Sequence, residues 1–432
     1  MTAPPAPATA PLHDDLRSEV LVIGAGYTGL SAALRLAERG VPVAVIEARA
    51  IGYGGSGRNV GLVNAGLWLP LPDIIRHLGE DAGEKLIEVL GEAPATVFGL
   101  IERHGIECEA VRNGTLHCAD SIAGLRDLEQ RTTQWAQRGA PVELLDAGAT
   151  AERLGSTAFR ASLLDRRAGT IQPLAYARGL ARAAIAAGAI IHTDSPALDI
   201  RREGTAWRAR TPHGSVKAER VIVAVNAYGE DGFRDAGQRL VALYFFQFAT
   251  PPLSARRRAA ILPGREGAWD THAVLTSLRL DAAGRLLIGS VGCLGGSGHA
   301  LHRGWARRAL ARIYPTLAGE AFEFGWGGRI GMTRDHLPRI SQPASGMVCV
   351  TGYNGRGIGP GTVFGRALAD FAMNGRAEDL PLPIQPEPSA CCGALRGFAI
   401  ESGARASHFF GCRSAARRSS RGSTRRLDDA GP

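Results

Sequence analysis

Residues 19–47 read EVLVIGAGYTGLSAALRLAERGVPVAVIE. Glu19-Val20-Leu21-Val22-Ile23 is a short β-branched run of the kind that forms a parallel strand buried on both faces. Gly24-Ala25-Gly26-Tyr27-Thr28-Gly29 follows at once. Leu30, Ala33, Leu34 and Ala37 then recur at helical spacing until Gly40 supplies a stop. Val41 to Ile46 gives a second buried strand, which ends in Glu47. The order is strand, G-x-G-x-x-G, helix, strand, acid.

Each piece has a physical task. Gly24 allows the tight turn, Gly26 lets a pyrophosphate approach the backbone, and Gly29 lets the helix pack closely on its strand. The helix N-terminus, at Tyr27 and Thr28, turns bare N–H groups and a positive dipole towards the phosphates. Glu47, followed by Ala48, is placed to accept hydrogen bonds from both ribose hydroxyls of an adenosine, and its carboxylate disfavours a 2′-phosphate.

A second glycine-rich loop comes close behind: Ile51-Gly52-Tyr53-Gly54-Gly55-Ser56-Gly57-Arg58-Asn59-Val60-Gly61. It offers backbone amides, Ser56 and Arg58 to further phosphate or flavin oxygens, where an NAD-binding unit would run straight into another helix. The stretch from Ile23 to Asn59 resembles the FAD-dependent D-amino-acid oxidase/glycine oxidase family, and within it the gamma-glutamylputrescine oxidoreductase-like branch. The resemblance implies non-covalent FAD: some relatives attach the cofactor through a cysteine in the segment corresponding to 328–335, which holds no cysteine here. It also implies an α/β fold, with a Rossmann-like FAD-binding domain of the glutathione-reductase type and an interleaved antiparallel-sheet substrate domain.

Working outward, a third glycine-rich loop, Gly352-Tyr353-Asn354-Gly355-Arg356-Gly357-Ile358-Gly359-Pro360-Gly361, opens a helix from about 362 to 373. It resembles the family's C-terminal flavin loop. The physics agrees, because a reduced flavin is negative near N1 and a helix N-terminus directs a positive dipole there. The expected domain plan is a disordered leader over 1–18, a discontinuous FAD-binding domain over 19–75, 150–235 and 331–385, and a substrate or cap domain over 76–149 and 236–330. Residues 386–432 form a tail, largely disordered after 410. Within the cap, 80–104 reads as one helix, and Asn113-Gly114 reads as a hairpin turn between Glu107–Val111 and Thr115–Cys118. Val221–Ala227 reads as a buried strand, leaving Asn226 either near the dinucleotide or in an ordinary loop.

Glycine accounts for 56 of the 432 residues, well above the usual share, while an apolar fraction of 45% supplies ample core. No apolar run reaches the roughly 18–20 residues of a membrane helix, so no transmembrane segment is expected. Nor is there a basic n-region followed by an apolar stretch at the start, so a cytoplasmic protein is expected. The net charge of +9 invites a nucleic-acid reading, but residues 411–432 alone hold six arginines against two aspartates. The diffuse remainder is a solvated surface, and nucleic-acid binding is not expected. The seven cysteines, at 108, 118, 293, 349, 391, 392 and 412, show no C-x-x-C spacing, so reduced thiols and no metal site are expected.

The chemistry implied is oxidation of the C–N bond of an amine or amino acid, with a secondary amine, a gamma-glutamyl polyamine or a cyclic imino acid as leading substrates. Hydride passes to the flavin and water hydrolyses the imine. Electrons leave to oxygen or, in the rival enzyme reading, to a quinone. A flavin-binding or nucleic-acid-associated non-enzyme is the reading of another class. No triad is needed, none is found, and the catalytic residues stay unassigned. A substrate carboxylate would need a bidentate arginine. In amino-acid-oxidising relatives that arginine follows a segment like Trp326-Gly327-Gly328-Arg329-Ile330, but the corresponding position here is Ile330. One residue of offset on a strand reverses the face, which leaves Arg356 or Arg279 as substitutes and sends Arg329 towards the cofactor or a neighbouring loop. On the strand around 240–250, alternation sets Tyr244, Phe246 and Phe248 against Phe245 and Gln247, and Tyr244 and Phe246 are candidates to face the substrate. Only Lys85 and Lys217 are lysines, and neither is suited to sit over a flavin.

Overall fold

A parallel sheet forms around the opening strand because Val20–Ile23 and Val43–Ile46 are apolar on both faces and need cover on each side. The computed structural model describes residues 2–229, 240–386 and 393–410. Asp15–Ile23 lies between Ser215–Val223 and Val43–Ile46, parallel to both, with Val20 opposite Val43 and Ile23 opposite Ile46. Met347–Thr351 and Ile190–His192 extend the parallel set on its two sides. Arg339–Ala344 and Ile384–Gln385 continue one edge, and the antiparallel pair Asp199–Glu203 and Ala206–Arg210 joins at Ser215–Ala218.

Helices Tyr27–Glu38, Pro173–Ala186 and Ile358–Asn374 cover one face. The first and last approach very closely, since a methyl on Gly365 would stand 2.3 Å from the Thr28 carbonyl oxygen. Ser31 Oγ donates to Thr362 O at 2.8 Å, and Arg35 grips Asp370 with two bonds, at 2.9 and 3.2 Å. These contacts bring the first and third glycine loops together.

The second sheet has eight strands in the order Phe324–Met332, Val241–Ala249, Leu286–Val291, Ser277–Leu280, Gly267–Asp270, Thr115–Ala119, Ala161–Asp165 and Val142–Leu145. All neighbours are antiparallel except Gly267–Asp270 with Thr115–Ala119. Its outer face packs on helix Gly298–Ile313, with Phe246 and Phe248 buried beneath Trp305 and Phe322.

Several expectations are corrected. The leader is not disordered over 2–18: Leu12 is buried, Arg178 donates to Pro4 O and Arg182 to Pro5 O, and Leu12 N donates to Ser195 Oγ. Prolines cannot donate, but their carbonyls accept, and the extended segment lies along arginines that supply the donors. The block 76–149 divides. Its helices Glu80–Gly91 and Ala93–Arg103 join the core of the first sheet, while Thr115–Ala119 and Val142–Leu145 enter the second. Ala161–Asp165, assigned to the FAD-binding domain from sequence, also belongs to the second sheet. The helix read over 80–104 breaks at Glu92, where Pro94 starts a new first turn. Asn113-Gly114 makes no hairpin; Val111 bridges to Thr170, and Thr115–Ala119 pairs with Ala161–Asp165. Part of the tail is helical, Gly393–Phe410, and it docks on the second sheet through buried His408. Residues 411–432 lie outside the described residues.

Candidate functional site

The two sheets enclose a cavity of about 1120 Å³, floored by the glycine loops and walled by the second sheet. On the floor, Gly24 adopts φ +105° and donates its N–H to Ile46 O at 2.8 Å, which ends the first strand and aims the helix at the cavity. A methyl on Gly29 would sit 1.9 Å from Gly24 O, so the helix can start here only without a side chain at that position. Glu47 Oε2 accepts from Ala25 N at 2.7 Å and Oε1 from Arg49 N at 2.9 Å. Burial raises the Glu47 carboxyl above the usual range, and these backbone donors oppose that shift.

Of the cofactor candidates, Gly24, Gly26, Tyr27, Thr28, Glu47, Ala48, Ser56, Asn59, Gly355, Arg356, Gly357 and Ile358 line this one cavity. Gly29, Gly57, Arg58 and Gly61 do not. Gly57 and Gly61 serve close backbone packing, their added methyls falling 2.4 Å from Gly52 O and 2.1 Å from Ile171 O. Arg58, a candidate for phosphate or flavin oxygens, ties its own loop to the neighbouring strand. Its Nε donates to Tyr53 O at 2.7 Å and its Nη1 to Gly327 O at 3.1 Å, and its guanidinium lies 4.4 Å over the Tyr53 ring. Asn59 clips the same loop, its Nδ2 donating to Gly55 O and Ser56 O while its Oδ1 accepts from Gly61 N.

The substrate candidates separate in the same way. Arg356 and Arg329 line the cavity; Tyr244, Phe246 and Arg279 do not. Phe246 is fully buried in the second core, stacked on His302 at 4.8 Å, and Tyr244 is exposed at the strand's start. The opposite face of that strand, with Leu243, Phe245 and Gln247, lines the cavity instead. The alternation was legible, but its direction was not, because helices Gly298–Ile313 and Gly393–Phe410 cover the Phe246 face. Arg279 donates from Nε to Val60 O at 2.7 Å and approaches Glu109 at 3.7 Å, so it fastens the second glycine loop. Arg329 stacks 4.7 Å over Tyr228, whose hydroxyl accepts from the Arg329 N–H at 2.7 Å. Asn226 lines the cavity and receives Gly352 N at 3.0 Å.

Sequence reasoning missed an aromatic group on the wall. Trp68 and Trp269 meet edge to face at 6.3 Å, His117 stacks on Trp269 at 4.9 Å, and Arg356 lies 4.4 Å over Trp68. The His117 imidazole is driven well below its ordinary value by burial first, then by Arg131 and Arg356, so it stays neutral. At the neighbouring corner, His272 contacts Asp120 and Asp270 at 3.2 and 3.1 Å and is raised to about 10 by those carboxylates. The strand Gly267–Asp270 that carries Trp269 is four residues long and had no periodicity to read. Neither lysine lines the cavity: Lys85 bonds Glu378 O, and Lys217 pairs with Glu203.

Comparison with known proteins gives the same picture. The family model described as "FAD dependent oxidoreductase" (DAO) matches residues 19–371. The chain is 30% identical over 397 residues to the probable oxidoreductase OrdL of Rhizobium meliloti (strain 1021), covering 91% of this chain and 92% of that protein. It is 31% identical over 383 residues to gamma-glutamylputrescine oxidoreductase of Escherichia coli (strain K12), covering 87% and 89%. Among solved structures, glycine oxidase from Geobacillus kaustophilus shares the fold with a TM-score of 0.67 at 22% identity, over 83% of this chain and 95% of that one.

Proposed function

The chain belongs to the DAO family of FAD-dependent oxidoreductases, and on that premise we propose that it oxidises the C–N bond of an amine or amino acid, with a secondary amine, a gamma-glutamyl polyamine or a cyclic imino acid as its substrate. The observation that carries the proposal is the convergence of three separate glycine loops on one cavity whose other wall is the mostly antiparallel second sheet. A dinucleotide fits that floor. The backbone at Gly26 has no side chain between it and the cavity, a methyl there meeting Ser56 Oγ at 2.9 Å. Tyr27 and Thr28 begin a helix pointing inwards, and Glu47 stands beside them for the ribose. The first amides of the helix starting at Ile358, with Gly355 and Gly357, would hold the flavin and favour the negative charge it gains on reduction.

Bound there, FAD supplies the two-electron oxidation, taking up hydride from the carbon beside nitrogen and leaving an imine for water to hydrolyse. The chain's own residues hold the substrate and keep bulk water out. Leu243, Phe245, Trp68 and Trp269 form an apolar wall. Neutral His117 accepts a hydrogen bond from the amine without adding a charge. Among the described residues no cysteine lines the cavity, which supports non-covalent FAD. The working compartment we propose is the cytoplasm, where Cys108, Cys118 and Cys293 stay reduced. Among the described residues no helix is long and apolar enough to cross a membrane.

Purified protein assayed against an amine panel for oxygen uptake and for reduction of a soluble quinone analogue tests the reading. Turnover with either acceptor supports it and names the acceptor. A flavin that no amine reduces overturns it.

A further inference from the structure

Gln247 is out of keeping with its own strand. On the cavity face of Val241–Ala249 its companions are Leu243 and Phe245, both apolar. Gln247 is 4% exposed, and its Oε1 has no hydrogen-bond partner among the described residues. A buried amide oxygen left unpaired costs stability, so packing alone would favour leucine or methionine here. Room has nonetheless been kept for it. Gly289 lies directly opposite on Leu286–Val291, and a methyl there would stand 2.1 Å from Oε1 and 2.2 Å from both Cδ and Nε2. The side-chain amide therefore rests face-on over the Gly289 backbone, in space that any other residue at 289 would fill.

The residues in register with Gln247 form one row across the second sheet. Trp326 stands on one side, and on the other come Gly289, Ser277, Trp269 and His117. Gln247, Ser277, Trp269 and His117 all line the cavity. Trp326 is committed, its Nε1 donating to Arg58 O at 2.8 Å. Trp269 is not: its Nε1, like Gln247 Oε1, has no partner among the described residues. The side chains of the row carry no formal charge, since burial keeps His117 neutral. A ligand ammonium would need a carboxylate in this row, and a ligand carboxylate a guanidinium. The group that suits it is uncharged and both donates and accepts. A hydroxyl does both from one atom, whereas a trans amide presents its N–H and its carbonyl on opposite sides. The row has that division, with Gln247 on one side of Gly289 and Ser277 on the other.

We propose that Gln247 is a specificity-determining residue of this site: its Oε1 accepts the N–H of an amide in the substrate, so that the molecule oxidised here carries an uncharged amide besides its amine. The Ser277 hydroxyl donates to the carbonyl of the same amide. This deepens the reading that the cavity takes an amine, and rests on it. A Gln247 that only packs on Gly289, or that bonds the flavin, would favour no ligand over another.

Two measurements on the full-length, FAD-loaded protein separate these cases, each with a pair of ligands in which one N–H is exchanged for a methylene. The first is calorimetric titration with N-butylacetamide and with heptan-2-one, read as the ratio of their affinities. From wild type to Gln247→Met that ratio should move towards the ketone by about tenfold, the effect of one lost hydrogen bond. Gly289→Ala, which pushes the side-chain amide aside without removing it, should move the ratio in the same direction, and it carries the test should Gln247→Met not fold. An unchanged ratio overturns the proposal, as does wild-type protein that takes up no amide. The second compares N-(4-propylaminobutyl)acetamide with 7-(propylamino)heptan-2-one by anaerobic flavin reduction. The kcat/KM ratio of amide to ketone should fall by a similar factor in Gln247→Met. Equal losses on both amines overturn the amide subsite and leave the oxidoreductase reading intact. If no amine reduces the flavin, the oxidoreductase reading fails, and the calorimetric ratio still decides the amide subsite.

Discussion

Gly29→Ala perturbs the joint on which the nucleotide floor depends. The added methyl would lie 1.9 Å from Gly24 O, 3.1 Å from Gly24 C and 3.1 Å from Val22 Cγ1. A methyl–carbonyl contact needs at least 3.0 Å, so the turn and the helix must separate by about 1 Å. Gly24 cannot absorb this alone, because its N–H is bound to Ile46 O and its own Cα faces Ala224 O. Overpacking of this kind costs about 1–3 kcal/mol, set against roughly 1 kcal/mol gained by alanine's helix propensity, so folding is weakened modestly. The cofactor suffers more. A shift of this size breaks one charge-assisted bond from the helix N-terminus to a phosphate, worth about 1.5–3 kcal/mol, or a roughly 10- to 150-fold weaker FAD affinity. The assay is flavin retained after gel filtration, with a titration of apoprotein by FAD. Gly99→Ala is the control. That glycine is also helical, its methyl would meet nothing within 4 Å, and it should stabilise the protein by about 0.5–1 kcal/mol with unchanged flavin. If Gly29→Ala keeps wild-type FAD affinity, the close-packing account of the turn is wrong.

Glu47→Gln places an amide N–H against either Ala25 N or Arg49 N, and FAD affinity should fall about tenfold, read by equilibrium dialysis; unchanged affinity would contradict its ribose role. Phe246→Ala should cost about 3–5 kcal/mol in urea unfolding, yet the folded fraction should retain a normal flavin spectrum, since the ring lies in the outer core rather than on the cavity. His408 packs on His302 at 2.9 Å and Ser290 at 3.2 Å, with Arg308 donating to its carbonyl, and its imidazole is pushed down to about 3 by burial first, then by His302 and Arg308. Its folded value lies below the unfolded one, so the stability it contributes is complete above about pH 6.5 and is lost as pH falls towards 3. The melting temperature of wild type should therefore drop through that window more steeply than that of His408→Gln, and parallel profiles would refute the assignment.

How much of this was legible in the sequence follows from which signals are local. The strand–glycine–helix–strand–acid order at 19–47 carries its whole meaning within 29 residues, and the structure places its parts around one cavity. The third glycine loop was legible for the same reason. Arg58, Arg279 and Phe246 were not. A residue's type and spacing show that it will be buried or paired, but the partner, whether Gly327, Val60 or Trp305, comes from 59 to 269 positions away. The leader shows the same limit. Pro4 and Pro5 look like disorder until Arg178 and Arg182 are placed beside them. Trp68, His117 and Trp269 come from three distant segments, and only the fold makes them one wall.

The central claim is that the glycine-lined floor holds FAD and that the opposite wall brings an amine's C–H bond to it. Anaerobic mixing of the FAD-loaded protein with an amine, followed at the flavin's visible band, tests this most directly when the carbon beside nitrogen carries either hydrogen or deuterium. The account predicts bleaching without oxygen and a slower reaction with deuterium. A protein that binds no flavin, or a bound flavin that stays oxidised against the whole amine panel, would contradict it.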